Sequence, residues 1–278
     1  MGGSNSPQVS VLMPAYNTEK YIGLAIESIQ NQTFKDYELI VVNDASTDTT
    51  LEIAKSYAKN DKRIKIISNS KNLQIAGSLN KGAKAAVGNY IARMDADDYS
   101  YPKRLELQCK LLNKQKSVVI VGADMRVVDK EGEPLYARTY PPKSDGLKKI
   151  MFRYSPFAHP VVMYRKETFD EFGGYDRNRV PCEDIDLWFK FGSKYKFASI
   201  PKVLLDYRLL PETSNSHKKL KEIELLGFEI KLEAIRKYGY KPSLYDLIYN
   251  IGQLVTMWVM PVNTRIWLYN QLRSKKII

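Results

Sequence analysis

Tyr90-Ile-Ala-Arg-Met-Asp95-Ala-Asp97-Asp98 is a short apolar run that discharges into three carboxylates within four residues. Its first half reads as a buried strand, since a strand covered on both faces shows continuous apolar character rather than alternation. Carboxylates this close repel one another unless a cation sits among them. Aspartate oxygens are hard ligands suited to Mg²⁺ or Mn²⁺, and Mg²⁺ is typically held by one or two carboxylates together with substrate phosphates. The partner implied is a metal-bound diphosphate. A solvated acidic turn is the plainer reading of an Asp-x-Asp taken alone, and the rest of the chain argues against it.

Outward from that stretch, strand-like and helix-like patterns alternate through the first hundred residues, which predicts an α/β fold with a mostly parallel sheet. Residues 9–13 read as the first strand, and Thr18 is expected to cap a helix carrying Tyr21, Ile22, Ala25, Ile26 and Ile29 at helical spacing. Residues 37–42 form a second strand, after which Asp48 can cap a helix through Ile53, Ala54 and Tyr57. A third strand over 63–67, a helix over 75–86 and the strand over 89–94 complete the series. Ligands of open α/β sheets bind beyond the carboxyl ends of the strands, and Tyr16, Asp44 and Asp95 all fall there. A helix over 103–112 and a strand over Val118–Val128 follow, and antiparallel additions to the sheet are expected from that point.

Composition bounds the partners. With 278 residues, 44% hydrophobic and 27% charged, the chain can bury a sizeable core, so disorder is not expected. Two cysteines cannot build a disulfide framework, and the first residues lack the charged and apolar regions of a signal peptide. A reducing cytoplasm is the default expectation. The net charge of +12 favours anionic partners: nucleic acid, a nucleotide sugar or an acidic membrane surface.

The motifs Val11-Leu-Met-Pro14-Ala-Tyr16-Asn17, Val42-Asn43-Asp44-Ala-Ser46-Thr-Asp48, Asn72 with Asn80-Lys-Gly82, Tyr90 to Asp98, and Glu183-Asp184-Ile-Asp186-Leu-Trp188 together resemble the ordered motifs of family two inverting glycosyltransferases of GT-A fold. Pro102-Lys-Arg104-Leu-Glu106-Leu-Gln108 and His159-Pro-Val-Val-Met163-Tyr-Arg165-Lys are similar to a bacterial and archaeal branch that builds cell-surface polysaccharides or lipid-linked glycans. The resemblance spans roughly residues 8–208.

It implies a Rossmann-like nucleotide-binding half over about 8–100, an acceptor half over about 101–212 and a C-terminal helical extension over 213–278, with 1–7 disordered or left over from cloning. It implies a nucleotide-sugar donor, UDP-linked by preference, held by Pro14, Ala15, Tyr16, Asn17, Asp44, Asn72, Asn80 and Asp95. An aromatic face at Tyr16 with a carboxylate acceptor at Asp44 is a sensible reader of a base whose edge donates an N–H. Asp97 would hold Mn²⁺ or Mg²⁺, with Asp95, Asp98 and His217 as further candidate ligands. Asp184 would be the general base and Glu183 its companion; the plain alternative for both is a helix N-terminus that favours acids. His159, Trp188 and Arg208 fall on the acceptor or sugar side, for transfer of a hexosyl or N-acetylhexosaminyl group to a glycan or lipid-linked saccharide.

Three positions depart from the family pattern. Gln74 stands where a glycine is common, Leu79 where an arginine precedes Asn80, and Leu210 where many relatives place a histidine after Arg208. Two rival readings compete: a sugar nucleotidyltransferase, whose glycine-rich basic loop is not seen after the first strand, and a non-catalytic polyanion or nucleotide binder explained by charge. Nucleic acid is not an expected partner, because the carboxylates face the crevice it would need.

Leu220–Tyr238 carries Ile223, Leu226, Ile230 and Ala234 at helical spacing and predicts an amphipathic helix. Residues 244–260 are more apolar but interrupted by Asp246, Asn250 and Gln253, too short a run to span a bilayer. Aromatic and basic residues in 243–278 suit the inner face of the cell membrane, while packing on the catalytic domain or self-association with a second copy of the chain is the plainer alternative.

Overall fold

A computed structural model describes residues 6–210 and 220–261, together with 264, 265, 267, 268 and 271. Among these residues, nine strands form one mixed sheet in the order β3-β2-β1-β4-β8-β6-β9-β5, with β7 paired to β6. The strands β1 (Val9–Ala15), β2 (Tyr37–Asn43), β3 (Ile64–Ser68) and β4 (Tyr90–Arg93) run parallel. The helices α1 (Ile22–Gln30), α2 (Thr50–Asn60) and α3 (Gln74–Ala85) alternate with them. Every residue of β2 and β4 is buried, which is why both read as mostly apolar runs, interrupted by Glu38 and Asn43 in β2 and by Arg93 in β4.

The local signals act differently from expectation at one cap. Thr18 makes no side-chain cap; its carbonyl instead accepts the first turn's N–H groups from Tyr21 and Ile22. Asp48 does supply the acceptor for α2, through Oδ1 to the Thr50 N–H at 3.0 Å.

Past β4 the sheet changes character. A two-residue strand β5 (Tyr99–Ser100) and helix α4 (Arg104–Lys114) lead to β6 (Val118–Val128), and β7 (Pro134–Arg138) folds back on it antiparallel. Helix α5 (Ser144–Ile150), strand β8 (Met163–Arg165) and helix α6 (Lys166–Glu171) follow, and β8 runs antiparallel between β4 and β6. The final strand β9 (Lys196–Arg208) pairs parallel with β6, which corrects the expectation of purely antiparallel additions. Helix α7 (Glu183–Lys194) is the connection that makes the parallel return sterically available.

Helix α8 (Leu220–Tyr238) packs on α7, and Arg179, in the turn before α7, donates to Glu229 at 2.8 Å and Glu233 at 2.6 Å of α8. Ile230 and Ala234 are buried in that contact. Helix α9 (Leu244–Val259) follows after a capping box in which Ser243 and Asp246 each accept the other's backbone N–H. No helix among the described residues is long and apolar enough to cross a membrane.

The foot of the parallel sheet is a buried polar knot. Ser10 donates to Glu38 at 2.6 Å and accepts the Gly88 N–H at 2.9 Å, while Glu38 also accepts the Val87 N–H at 2.9 Å. A Cβ on Gly88 would stand 2.6 Å from the Ser10 nitrogen, a backbone atom with no freedom to retreat. Gly88→Ala is therefore expected to destabilise the fold by about 1–3 kcal/mol, read as a lower urea midpoint with unchanged m-value; an unaltered midpoint would show that β1 and β4 can separate here.

Candidate active site

Loops leaving the carboxyl ends of β1, β2 and β4 open onto one cavity of about 680 Å³, within the range of small-ligand sites. This is the point where chain order reverses on either side of β1, the position at which open α/β sheets gather their ligands. Pro14, Ala15, Tyr16, Asp44, Asn72, Asp95, Asp97 and Arg208 line it. The facing wall comes from Val180 and Pro181 and from Glu222, Ile223 and Leu226 of α8.

The nucleotide end is preformed. Tyr16 is 48% exposed, an unusual state for so large a ring and one that leaves a face for stacking. Asp44 is buried, and Asn69 Nδ2 at 2.7 Å and the Leu73 N–H at 2.8 Å both donate to its Oδ1. Its other oxygen is thereby held in one orientation at the crevice. Asn72 accepts the Gln74 N–H at 2.9 Å, shaping the loop that enters α3. Gln74 takes φ of 61°, the left-handed region that favours glycine, which gives the family's common glycine at this position its physical reason.

The three aspartates form one cluster: a carboxylate oxygen from each of Asp95, Asp97 and Asp98 lies within 4.8 Å of the others. Burial and the charge of Asp95 push Asp97 up to about 7. Asp98 is driven well above the carboxylate range by burial and by both neighbours. Asp98 is 1% exposed; its Oδ1 accepts the Arg208 N–H at 2.9 Å, and its buried Oδ2 has no partner among the described residues. Hard oxygen donors short of positive charge, one of them a buried orphan, fit a divalent cation, which binds the deprotonated forms and displaces their protons.

Arg208 sits at the crevice but is consumed by main chain. Its guanidinium donates to the Asp97 carbonyl at 3.0 Å and to the Asp129 and Lys130 carbonyls at 3.1 and 2.9 Å, and lies over the Tyr21 ring. It clamps the aspartate loop while remaining part of the cavity lining.

The residue that sequence reasoning missed is Arg93. It ends β4, is 4% exposed, and its Nη1 stands 2.5 Å from Asp95 Oδ2. Its charge also bears on Asp98, Glu183, Asp184 and His159, so one buried guanidinium acts electrostatically on both the aspartate cluster and the Glu183-Asp184 pair. A charged residue inside an otherwise apolar strand was the available signal.

Glu183 and Asp184 open the first turn of α7, so the helix N-terminus and the acidic-pair readings describe the same place. They are not among the residues lining the cavity, although Val180 and Pro181 immediately before them are. Burial pushes Asp184 up to about 6 and Glu183, which also meets the charge of Asp184, up to about 8. At neutral pH Glu183 therefore keeps its proton in preference to Asp184. Glu183 Oε1 lies 3.8 Å from His159 Nδ1, and His159 Nε2 shares a hydrogen bond of 2.9 Å with the Tyr175 hydroxyl. Burial and Arg93 hold His159 well below its usual range, so it is neutral.

Three further residues named from the sequence are not among those lining the cavity. Asn17 does not face the crevice: its Oδ1 accepts the Thr47 N–H at 2.9 Å, lacing the first two loops together. Asn80 is spent on the backbone of Tyr175, donating to its carbonyl at 2.7 Å and accepting its N–H at 3.0 Å. Trp188 has no exposed surface and packs edge-on against Phe157 and His159, so it supports the site from behind and offers no face to an acceptor. His217 lies outside the described residues.

Residues 10–173 match the model of the family described as Glycosyl transferase family 2. The chain belongs to that family and is a glycosyltransferase. It is 43% identical over 191 residues to the putative glycosyltransferase EpsE of Bacillus subtilis, covering 68% of each chain. In fold it is similar to S. aureus TarS in complex with UDP-GlcNAc, with a TM-score of 0.67 and 20% identity over 82% of this chain and 66% of that one. It is also similar to the mannosyltransferase PcManGT of Pyrobaculum calidifontis in complex with GDP-Man and Mn²⁺, with a TM-score of 0.62 and 16% identity over 98% of this chain and 86% of that one. The fold is GT-A. Family membership decides against the nucleotidyltransferase and the polyanion binder.

Arg93 yields a test that needs no substrate. Removing a buried cation that acts on several carboxylates leaves their charge uncompensated, so Arg93→Met is expected to destabilise by about 3–5 kcal/mol at pH 8. The neighbouring carboxyls rise further without it and take up protons as pH falls, so the loss shrinks at pH 5. Urea unfolding of both proteins at the two pH values measures this; an equal loss at each would assign Arg93 a packing role alone.

Proposed function

We propose that the chain transfers a sugar, with inversion, from a nucleotide-sugar donor, UDP-linked by preference, to a hydroxyl of a glycan or lipid-linked saccharide, at the inner face of the cell membrane. The observation that carries this reading is the aspartate cluster at the carboxyl ends of the parallel strands, with the charge of the buried Arg93 bearing both on it and on Glu183-Asp184. On this reading, residues 8–100 are the donor half, 101–212 the acceptor half and 213–278 a helical extension.

Tyr16 would stack on the base and Asp44 Oδ2 would accept its N–H, with Pro14 and Ala15 forming the floor and Asp95 holding the ribose hydroxyls. Asn72 would contribute through the loop it shapes. Asp97, with Asp98 beside it, would hold Mn²⁺ or Mg²⁺, which supplies Lewis-acid stabilisation of the charge gathering on the departing diphosphate. In the displacement, the acceptor oxygen bonds to the anomeric carbon as the bond from that carbon to the diphosphate oxygen breaks. The acceptor's proton passes to the Asp184 carboxylate. Glu183, holding its own proton, adds no second charge against the incoming hydroxyl.

Asp184→Asn is expected to lower kcat by about 10²–10⁴ with little change in donor affinity, because general-base catalysis contributes on that scale. Turnover is scored as nucleoside diphosphate released from a panel of nucleotide sugars with Mn²⁺. Near wild-type turnover would remove Asp184 from the chemistry.

The pH profile gives an independent check. The base acts only when ionised, and burial raises Asp184 toward 6, so kcat should fall on the acid side through about pH 6 rather than near 4. A profile flat from pH 5 to 8 would contradict this.

A further inference from the structure

Helix α9 is inside out. At about 100° per residue, Leu244, Ile248, Ile251, Val255, Trp258 and Val259 fall within an arc of about 100°. Each of the six is at least 56% exposed. The opposite side, turned to the protein, carries the polar residues. Asp246 is buried, completes the cap with Ser243 and lies 3.1 Å from Arg153 Nε. Asn250 donates to the Phe152 carbonyl at 2.8 Å and accepts from Lys231 Nζ at 2.8 Å. A helix meant to pack on its own domain would bury the apolar stripe and leave the amide and carboxylate to water. Here specific polar bonds hold it in the reverse orientation, and those bonds fix which face is presented.

The charge around the stripe selects what covers it. No acidic residue follows Asp246 in the sequence, and the whole protein carries +12. Arg265 is buried and paired with Glu224, so the cation beside the stripe among the described residues is Lys221. Lys221 places its ammonium 5.0 Å from the Trp258 ring, and Trp267 is 61% exposed. Tryptophan beside a basic residue and an uncharged apolar stripe is the composition that suits the headgroup boundary of a bilayer. A second copy of the chain would bring the same positive charge to the same surface, which opposes a two-fold contact. With 16 residues α9 is roughly 24 Å long, short of the hydrocarbon thickness, so it lies in the interface and does not cross it.

We propose that the exposed face of α9 docks on the surface of an anionic phospholipid bilayer. Docking also ties the donor crevice to the membrane, because α8 lines that crevice and Lys231 of α8 holds Asn250 of α9. An acceptor carried on a membrane lipid is presented at the crevice without leaving its bilayer, a consequence that rests on the glycosyltransferase reading although the docking does not.

The test is flotation of the full chain with vesicles of phosphatidylcholine and phosphatidylglycerol, compared with phosphatidylcholine alone and with the double variant Ile248→Glu, Ile251→Glu. Both positions are exposed, so the variant keeps the wild-type circular dichroism and donor affinity. The expected result is partition onto the anionic vesicles at least tenfold above either comparison, with tryptophan emission quenched when the lipid chains are brominated near the headgroup; Trp188, fully buried, does not contribute. Equal partition of wild type and variant overturns the proposal. So does a wild-type dimer in light scattering that the double variant dissociates, with no lipid binding by either, since the stripe would then be covered by a second copy. None of these readouts uses sugar transfer, so a failed donor assay and a failed docking are separate results.

Discussion

The Arg93 guanidinium is the constraint around which the catalytic half is arranged. An aspartate cluster and an acidic pair at a helix N-terminus have no electrostatic reason to approach each other, and burying them together is unfavourable without a cation of fixed position. Arg93 is such a cation because the backbone of β4 delivers it, paired with β1 on one side and β8 on the other. Arginine also suits the place better than lysine. It stays charged when buried, and its planar fork can face several carboxylates at once. The geometry downstream follows from this charge: Asp95 leans on it, Asp97 and Asp98 remain short of positive charge, and Asp184 ionises more readily than Glu183.

Around that centre, much of the polar machinery is spent on loop architecture. Arg208 ties Asp97, Asp129 and Lys130 by their carbonyls, and Asn69 and Leu73 fix the orientation of Asp44. A site that must hold like charges close together has to stop its loops from swinging apart, and hydrogen bonds to main chain do this without adding charge. Arg208 thus both lines the cavity and helps frame it, keeping the other lining residues in register.

The first hundred residues were readable because parallel strands buried on both faces leave apolar runs, and because the crevice rule ties site to topology. What lay beyond the strand of Arg93 was harder. β5 and β8 are two and three residues long, too short for any periodicity, and β6 pairs parallel with a strand nearly eighty positions away. The aspartates and the acidic pair were legible as chemistry, since clustered carboxylates demand compensation. Asn17, Asn80 and Trp188 were not, because a motif preserves a residue whether it touches a ligand or a neighbouring backbone. Helix α9 showed its composition in the sequence but not its facing, which depends on Asp246 and Asn250 finding Arg153 and Phe152 about a hundred residues earlier.

The reciprocal pair of bonds between Asn80 and Tyr175 joins α3 to the segment ahead of α7 across 95 positions, and both bonds reach the backbone of Tyr175. The ring at 175 is irrelevant to that joint. Its real requirements are an asparagine on one side and, on the other, Gly174, where a Cβ would stand 2.7 Å from Asn80 Oδ1 and where φ is 77°. The seam is thus specified by two residues and written in a vocabulary any chain possesses, so segments from different members of the family could be recombined there without redesigning the contact.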